Sequence, residues 1–306
     1  MKILITGGNG FIGTNLTKLL LQLNHEIVVI DNYYSSVIKN IENKNCTFIE
    51  HDIINKIPNV DCEFIFHLAC PASPAIYLKD TLYTLDVNYI GTKNVLDFAK
   101  SKNIPVIFSS TSEIYGDPKI SPQHEDYWGN VYPPSLRSSY DEGKRVAETL
   151  MYNYHNNYNI PIQIVRLFNT YGPNMDPNDG RVVSNFITQG LKKEPMTIYG
   201  DGTQTRSLCY VDDITFALNK LMNKWPSYTG PINLGNNNEM KIIDIADYIC
   251  ESLKIDKNYI YKDLPENDPK IRQPDIKKAN NILGWSPEVE LEVGIEKTIQ
   301  YFKKIV

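Results

Sequence analysis

Two residues of this sequence, Tyr140 and Lys144, have types and a spacing that could do acid–base chemistry. Side chains four positions apart lie on one face of a helix, within reach of each other. A nearby ammonium favours the phenolate form, so we expect the tyrosine pKa, ordinarily about 10, to fall toward neutrality. Tyr140 is therefore a candidate general base for a sugar or alcohol hydroxyl. Most such pairs on helices are simply solvated, so this interpretation needs a cofactor site elsewhere in the chain.

A glycine-rich turn near the start of the sequence supplies that site. The apolar run at 2–6 predicts a buried strand, and an amphipathic helix follows residues 7–13. Glycines at 7, 10 and 13 permit a tight turn and a close approach to a pyrophosphate, which the helix N-terminus stabilises. Without a ligand, the same pattern would be an ordinary strand-to-helix turn. The residues expected at the cofactor here are Gly7, Asn9, Gly10, Phe11, Ile12 and Gly13.

An aspartate ends the next predicted strand, residues 26–30. A carboxylate roughly 20 residues after the glycine turn accepts hydrogen bonds from a ribose 2′-hydroxyl and repels a 2′-phosphate. No arginine stands beside Asp31, so the sequence favours NAD over NADP. The other residues expected to contact NAD are Asn32, Asp52, Ile53, Leu68 and Ala69, with Tyr140 and Lys144.

Strands and helices alternate through the first half of the chain. Such alternation predicts an α/β fold with a doubly wound parallel sheet of the Rossmann type. The predicted strands are 2–6, 26–30, 47–50, 64–68, 106–109 and 162–167, and the long helices are 86–100, opened by Thr84 or Asp86, and 140–154. Further helices are expected at 182–191, 242–253 and 291–302.

We expect residues 1–170 to form the NAD-binding domain and residues 171–306 a smaller, interleaved substrate-binding domain. Part of 205–235 should return to the first domain, which makes the boundary approximate. The turns at 179–180, 199–202 and 236–238 mark the looser second half.

Composition excludes several classes of partner. The net charge of −5 leaves no basic footprint for nucleic acid. Five scattered cysteines lack metal-like spacing and indicate reduced thiols of a cytoplasmic protein. His124 and His155 have no partner at such spacing, so we expect no metal site. We expect no signal peptide or membrane anchor, because no apolar run approaches the roughly 18–20 residues that a transmembrane helix requires.

Nine segments carry a resemblance that covers nearly the whole chain. They are residues 67–74, 110–118, 127–131, 137–155, 168–173, 181–186, 199–202, 204–207 and 272–275. In these segments the chain resembles the extended short-chain dehydrogenase/reductase family of nucleotide-sugar enzymes, the NAD-dependent epimerases and dehydratases. Within that family it is most similar to the UDP-glucuronate decarboxylases.

The resemblance implies a UDP-sugar site in the second half of the chain. The residues it assigns there are Tyr77, Arg137, Asn169, Val183, Asn185, Tyr199, Gln204, Arg206 and Arg272. Guanidinium groups suit this ligand because they bind a pyrophosphate bidentately. For Arg206 and Arg272 the competing interpretation is a surface ion pair, and for Tyr77 an ordinary packed tyrosine.

Position 112 distinguishes the activities within the family. The 4,6-dehydratases carry an aspartate there to protonate the departing hydroxyl, which Ser112 cannot do efficiently. Epimerases usually lack Glu113 as well. The resemblance therefore implies decarboxylation of UDP-glucuronate to UDP-xylose, with Tyr140, Lys144 and Thr111 or Ser112 at the sugar C4 oxygen. Glu113 and Arg272 are assigned to the decarboxylation half.

Three alternatives to this activity remain. The enzyme could release a UDP-4-keto-pentose with NADH, or form UDP-apiose. It could be a 4-epimerase or 4,6-dehydratase, which would turn over UDP-glucose. A non-catalytic NAD sensor on the same fold is the third, although a sensor has no need of an alcohol base.

Some residues near these motifs have simpler interpretations. His67 is expected to pack in the core or at the sheet edge, and Cys70 to line the cofactor cleft without reactivity. Asp141 and Glu142 would be first-turn carboxylates favoured by the helix dipole. Residues 34–39 depart from the family, which generally has a small residue, a glycine and a basic residue near the adenine ribose, although Ser35 and Ser36 could still bind phosphate.

The resemblance also implies a homodimer. Family members pack their two long helices, here 86–100 and 140–154, into a four-helix bundle. Leu96, Ala99, Val146 and Leu150 are apolar at helical spacing, which fits either that interface or the core.

Overall fold

A seven-stranded parallel sheet forms the centre of the molecule in a computed structural model, which describes residues 1–36, 40–225, 228, 230–264 and 271–306. Its strands are β1 (Lys2–Thr6), β2 (Glu26–Asp31), β3 (Cys46–Glu50), β4 (Phe64–His67), β5 (Val106–Thr111), β6 (Ile162–Leu167) and, later in the chain, β11 (Ile232–Leu234). Their order across the sheet is β3-β2-β1-β4-β5-β6-β11, with every neighbouring pair parallel.

The sheet is covered on both faces because successive side chains of a strand point to opposite sides. Leu4 packs on one face with residues of the long helices, including Leu96. Ile3 and Ile5 pack on the other face, with residues such as Leu16. The predicted doubly wound parallel fold is confirmed.

Ten α-helices surround the sheet or build the second half of the described chain. They are α1 (Phe11–Gln22), α2 (Pro74–Tyr77), α3 (Thr81–Asp86), α4 (Thr92–Lys102), α5 (Ser138–Tyr158), α6 (Val182–Leu191), α7 (Val211–Lys224), α8 (Ile242–Leu253), α9 (Lys277–Leu283) and α10 (Leu291–Phe302). The predicted bounds of α6, α8 and α10 are confirmed, and α5 extends beyond 140–154 at both ends.

The helix predicted at 86–100 begins earlier than expected. Helix α3 runs into a wider π-helical turn, Val87–Gly91, and then into α4, so helical backbone extends from Thr81 to Lys102. The expected caps Thr84 and Asp86 are wrong. Asp80 caps the helix, because its side chain accepts a hydrogen bond from the backbone N–H of Tyr83 at 2.9 Å.

Short strands fill the second half. They are β7 (Thr170–Tyr171), β8 (Met196–Tyr199), β9 (Thr205–Ser207), β10 (Cys209–Tyr210), β12 (Glu239–Lys241) and β13 (Tyr259–Lys262), paired as β7–β10, β8–β13 and β9–β12. A separate hydrophobic core includes Val183, Ile198 and Ile245. The chain nevertheless returns to the central sheet, because β11 pairs with β6 and α7 packs against α1.

No helix in the part of the chain that the structure describes is long and apolar enough to cross a membrane.

Candidate active site

A cleft of about 1270 Å³ opens at the carboxyl ends of the central strands. Ligands of open parallel sheets bind at this edge, where the loops after the strands meet. The glycine turn forms one wall, and the loop after β5, the start of α5 and segments of the second half form the others. One continuous surface thus joins the predicted cofactor and sugar residues.

The glycine turn leaves no space for larger residues at two positions. Gly7 has a φ of +73°, and a Cβ there would lie 2.7 Å from the backbone of Ala69. A Cβ on Gly13 would lie 2.2 Å from the carbonyl oxygen of Gly7. The chain can therefore pack this closely only with glycine, which brings the turn and the N-terminus of α1 to the cleft.

Asp31 lies at the end of β2, and its carboxylate accepts hydrogen bonds from other groups of the protein. It accepts hydrogen bonds from the backbone N–H groups of Asn9 at 3.0 Å and Tyr33 at 2.8 Å. The hydroxyl of Ser36 donates to it at 3.3 Å. Burial raises the pKa of Asp31, and these hydrogen bonds oppose the rise. A fixed acceptor here fits the ribose of an NAD molecule.

A second, smaller pocket beside the turn contains the adenosine-side residues. Asn32 donates to Asp52 at 2.9 Å, and the Tyr83 hydroxyl donates to the same carboxylate oxygen at 2.7 Å. The rings of Tyr34 and Tyr83 lie 4.7 Å apart. Sequence reasoning missed Tyr83, since nothing in a helical pattern distinguishes it from any other tyrosine. Of the loop that departs from the family, 37–39 lie outside the described residues.

All the cofactor residues expected from the sequence line one of these two cavities. The larger is lined by Gly7, Asn9, Gly10, Phe11, Ile12, Gly13, Leu68, Tyr140 and Lys144, and the smaller by Gly7, Gly10, Asp31, Asn32, Asp52, Ile53, Leu68 and Ala69. Their roles toward NAD remain predictions, although the set of glycines, amides and two carboxylates suits a dinucleotide.

Tyr140 and Lys144 lie on the first two turns of α5, both buried at the cleft. The Lys144 ammonium donates to the carbonyl of Ser109 at 2.8 Å, which ties α5 to β5. Burial raises the pKa of Tyr140, and a hydrogen bond from Thr111 opposes the rise. The expected fall toward neutrality is therefore wrong for the protein by itself: desolvation of the phenolate outweighs the hydrogen bond from Thr111 and the positive charge of Arg181.

The face of the Tyr140 ring is covered by another aromatic ring. Tyr77, at the end of α2, stacks on it with 5.0 Å between ring centroids and 4° between planes. Tyr77 is also buried and lines the cleft.

Glu113 joins two arginines at the sugar side of the cleft. Its carboxylate oxygen Oε2 accepts hydrogen bonds from both Arg137 and Arg272, the latter at 3.0 Å. Arg272 also donates to the carbonyl of Ser112 at 2.8 Å. Although burial opposes it, the positive charges of Arg272 and then Arg137 hold the pKa of Glu113 down, at about 2. Because Arg272 is only 2% exposed, its interpretation as a surface residue is wrong.

Asp141 belongs to this cluster and is not simply a dipole partner of the helix. Its side chain is buried, and Oδ2 lies 3.7 Å from Nε of Arg137. Oδ1 has no hydrogen-bond partner among the residues that the structure describes. The sequence could not reveal this, since the burial of a residue on a helix is a property of the assembled fold.

The remaining predicted substrate residues come from the second half of the chain and line the same cleft. They are Asn169, Val183, Asn185, Tyr199, Gln204 and Arg206. Gln204 donates to the carbonyl of Tyr199 at 2.7 Å, and Arg206 to that of Thr205 at 2.8 Å, which orders the loop. Arg181, which sequence reasoning did not single out, also lines the cleft and donates to the carbonyl of Ala72 at 2.9 Å.

Two residues with simpler interpretations lie where expected. His67 is buried between the hydroxyls of Thr6, at 2.8 Å, and Thr92, at 3.1 Å. Burial lowers its pKa to about 3, so it packs as a neutral residue. Cys70 lines both cavities, and burial raises the pKa of its thiol. Within the described ranges, no group of three histidine, cysteine or acidic side chains could hold a metal.

Known proteins are similar to this chain in sequence and in fold. The pattern of the NAD dependent epimerase/dehydratase family matches residues 3–235. UDP-glucuronic acid decarboxylase 1 of Danio rerio is 46% identical over 309 residues, which cover 99% of this chain and 73% of that protein. UDP-glucuronic acid decarboxylase 6 of Arabidopsis thaliana is 46% identical over 300 residues, covering 96% of this chain and 87% of the relative.

A solved structure has the same architecture over its full length. It is the UDP-glucuronic acid 4-epimerase from Bacillus cereus in complex with UDP-glucuronic acid and NAD, with a TM-score of 0.88, 29% identity and 100% of both chains covered. Sequence and structure therefore agree: the chain belongs to the NAD dependent epimerase/dehydratase family.

Proposed function

We propose that this protein is a UDP-glucuronate decarboxylase, which uses NAD as a recycled cofactor and makes UDP-xylose. The observation that carries the proposal is the arrangement of one cleft, in which Tyr140, Lys144 and Thr111 border the pair Glu113 and Arg272. The first three residues suit oxidation of a sugar alcohol, and the charged pair suits a substrate carboxylate. The similarity to UDP-glucuronic acid decarboxylases supports the same activity.

The turn at 7–13 would hold the NAD pyrophosphate, and Asp31 would hold the ribose. Asn32 and Asp52 would contact the adenine side. Lys144 would orient the nicotinamide ribose. When bound, NAD supplies hydride chemistry at the sugar C4, and its charged ring adds a positive charge near the Tyr140 phenol. That charge opposes the effect of burial on the pKa of Tyr140.

Tyr140 would remove the proton from the sugar O4 as C4 is oxidised, and return it when C4 is reduced. Thr111 or Ser112 would hydrogen-bond the reacting oxygen. The C4 ketone lies β to the C6 carboxylate, so the bond between C5 and C6 can break, with its electron pair moving into the carbonyl. Hydrogen-bond donors at O4 stabilise the resulting enolate.

Each turnover consumes one proton. The carboxylate leaves as neutral CO2, and C5 then takes a proton to form the pentose. Glu113 and Arg272 would act in this half of the reaction. Ser112 is a poor acid for a departing hydroxyl, which argues against a 4,6-dehydratase.

The uridine diphosphate would lie along the loops of the second half. Asn169, Arg206 and the start of α6 would contact it, with Tyr199 and Gln204 alongside. We propose on this basis that residues 1–170, with β11, form the NAD-binding domain and 171–306 the UDP-sugar-binding domain.

We propose a homodimer formed by α3–α4 and α5 packed into a four-helix bundle. Leu96 and Ala99 are buried in the core of the chain itself, so they do not supply that interface. Tyr89, Ile90 and Tyr152 are exposed on the same helices and favour it. Sedimentation at micromolar concentration should give a dimer, and a monomer alone would contradict this proposal. We place the protein in the cytoplasm, in keeping with its five free cysteines.

Incubation with NAD and UDP-glucuronate, followed by mass spectrometry of the nucleotide sugar and by NADH absorbance, tests the activity. We expect loss of CO2 to UDP-xylose with no lasting NADH. Loss of CO2 with accumulating NADH would mean that the 4-keto-pentose escapes. UDP-galacturonate as product, or turnover of UDP-glucose instead, would identify an epimerase or dehydratase and overturn the proposal.

A further inference from the structure

Asp141 is a buried carboxyl group placed directly behind the charged wall of the cleft. It is 5% exposed, follows Tyr140 on α5, and touches Arg137 through Oδ2 only, at 3.7 Å. Its other oxygen, Oδ1, is buried without a hydrogen-bond partner in the described part of the chain. An ionised carboxylate is costly in such a place, because its unpaired oxygen has lost water and gained nothing.

The total charge of the ion-paired cluster of Glu113, Arg137, Arg272 and Asp141 depends on the protonation state of Asp141. Arg137 and Arg272 carry two positive charges, and Glu113 carries one negative charge. Arg206 lies outside these ion pairs and adds the same positive influence on Glu113 and Arg272 in either state. If Asp141 is ionised, the cluster is neutral and gains little from another anion. If Asp141 is protonated, the cluster carries one positive charge, which matches one substrate carboxylate.

Asp141 titrates in the range where this choice matters. Burial, and after it the negative charge of Glu113, raises the pKa of Asp141 to about 7, while Arg137 and Arg272 oppose the rise. Glu142 on the same helix raises it further. Tyr77 is a further titratable group that interacts with Arg137. A second anion brought to Arg137 and Arg272 would raise the proton affinity of Asp141 again.

We propose that Asp141 takes up one proton when the carboxylate of UDP-glucuronate binds beside Arg137 and Arg272, and releases it when that carboxylate leaves as CO2. The inference rests on the proposed decarboxylase function. The carboxylate brings one negative charge and Asp141 loses one, so the cluster keeps its total charge through binding. The bond between C5 and C6 then breaks, CO2 leaves and the negative charge moves to O4. C5 takes one proton that comes from solvent, and the proton of Asp141 returns to solvent, so that each turnover consumes one proton.

Asp141 acts through Arg137 and Glu113 in this proposal. It is a positioning residue that sets the charge of the cluster, because it contacts Arg137 and is not itself among the residues that line the cleft. If Asp141 had a purely structural role, proton uptake would be the same for a substrate with a carboxylate and for one without.

Calorimetric titration of the NAD-loaded Tyr140→Phe variant tests the proposal without turnover. At pH 8, binding enthalpies in buffers of different ionisation enthalpy give the number of protons taken up. We expect roughly 0.5 to 0.9 protons per site with UDP-glucuronate and close to none with UDP-xylose or UDP-glucose, which lack the carboxylate. Uptake should shrink at pH 6, where Asp141 is already protonated.

Two variants in the Tyr140→Phe background assign the proton. Asp141→Asn should remove the uptake. Glu142→Gln, one residue away, removes only a minor influence on the pKa of Asp141 and should keep most of the uptake. Equal uptake with UDP-xylose, or unchanged uptake in Asp141→Asn, would overturn the proposal. If Asp141→Asn does not fold, the comparison of the two nucleotide sugars still decides.

The same titration separates this inference from the proposed function. Binding of UDP-glucuronate without proton uptake contradicts the inference alone. A protein that binds UDP-glucose and not UDP-glucuronate contradicts both.

Discussion

The ring of Tyr77 lies flat against the ring of Tyr140, with 5.0 Å between centroids and 4° between planes. Stacking fixes the plane of the phenol and keeps water from one of its faces. We expect Tyr77→Ala to lower kcat at least about 10-fold, since a misplaced base loses much of its effect. Tyr77→Phe keeps the stacked ring and should retain most of the activity. Steady-state kinetics with UDP-glucuronate compare the two, and equal rates for Ala and wild type would exclude a positioning role.

Tyr140→Phe removes only the hydroxyl that we assign as the base. Turnover should fall by at least about 1000-fold, because general base catalysis and alignment of O4 are lost together. NAD affinity should stay within about 2-fold, since no charge or ring is lost. Fluorescence titration with NAD and a discontinuous product assay measure the two effects. Substantial remaining turnover would assign the base to another residue.

Arg272 and Glu113 form a buried ion pair, which gives a combined prediction of stability and activity. Arg272→Ala should destabilise the fold by about 3–5 kcal/mol, because it leaves Glu113 with fewer partners in a dry site. Arg272→Met with Glu113→Gln should recover much of that loss without recovering decarboxylation. Urea unfolding and the UDP-xylose assay separate the two effects. Normal activity in the double variant would remove both residues from the reaction.

The Tyr83 hydroxyl donates to Asp52 at 2.7 Å in the adenosine-side pocket. Tyr83→Phe should raise the Kd for NAD about 3- to 10-fold, in line with roughly 1 kcal/mol for one hydrogen bond that orients a binding residue. Tyr34→Phe keeps the contact between the two rings and the Tyr83 hydroxyl, so it should bind NAD as the wild type does. Calorimetry with NAD measures both constants, and equal values would show that the Tyr83 hydrogen bond is irrelevant to binding.

Asp141 should make the fold less stable as the pH rises. Its folded-state pKa of about 7 is above the ordinary 3.8, so the stability it contributes is complete below pH 3.8 and is lost as the pH rises through 7. Asp141→Asn should therefore be more stabilising at pH 8 than at pH 5, by about 2 kcal/mol. Glu113, whose pKa is lowered, loses its contribution only in acid, well outside this range.

Chemical denaturation at the two pH values measures this difference. Glu142→Gln removes only a minor cause of the raised pKa of Asp141 and should keep most of the pH dependence. A parallel loss of stability in wild type and Asp141→Asn would contradict the assignment.

Local sequence patterns were sufficient to predict six of the seven strands of the sheet and several helices, but not the strand β11. Strand Ile162–Leu167 and helix Val182–Leu191 have the expected bounds, because apolar periodicity follows directly from burial on one side. The sequence pattern does not predict that helical backbone begins at Thr81, because the cap Asp80 lies in a segment without a clear apolar stripe. Helix α7 is also not predicted from the sequence, because the segment around it was interpreted from its turns.

The candidate site shows the same division. The types and spacing of Tyr140 and Lys144 indicate their chemistry, and the structure brings them to the cleft with the other expected residues. The raised pKa of Tyr140 follows from its burial, in which Tyr77, 63 positions earlier, covers the ring. The raised pKa of Asp141 follows from burial and from the charge of Glu113, 28 positions earlier. No local pattern contains that information, because burial is a property of the assembled fold.

The position of β11 beside β6 has a consequence for how the protein is made. Residues 232–234 complete a sheet whose other six strands all precede position 168. During synthesis, β6 is therefore an unpaired edge strand until more than sixty further residues have been added. An open, apolar edge strand is a template for pairing with other chains. Fragments that stop near residue 170 should therefore aggregate rather than fold, and the two halves should unfold together as a single cooperative unit.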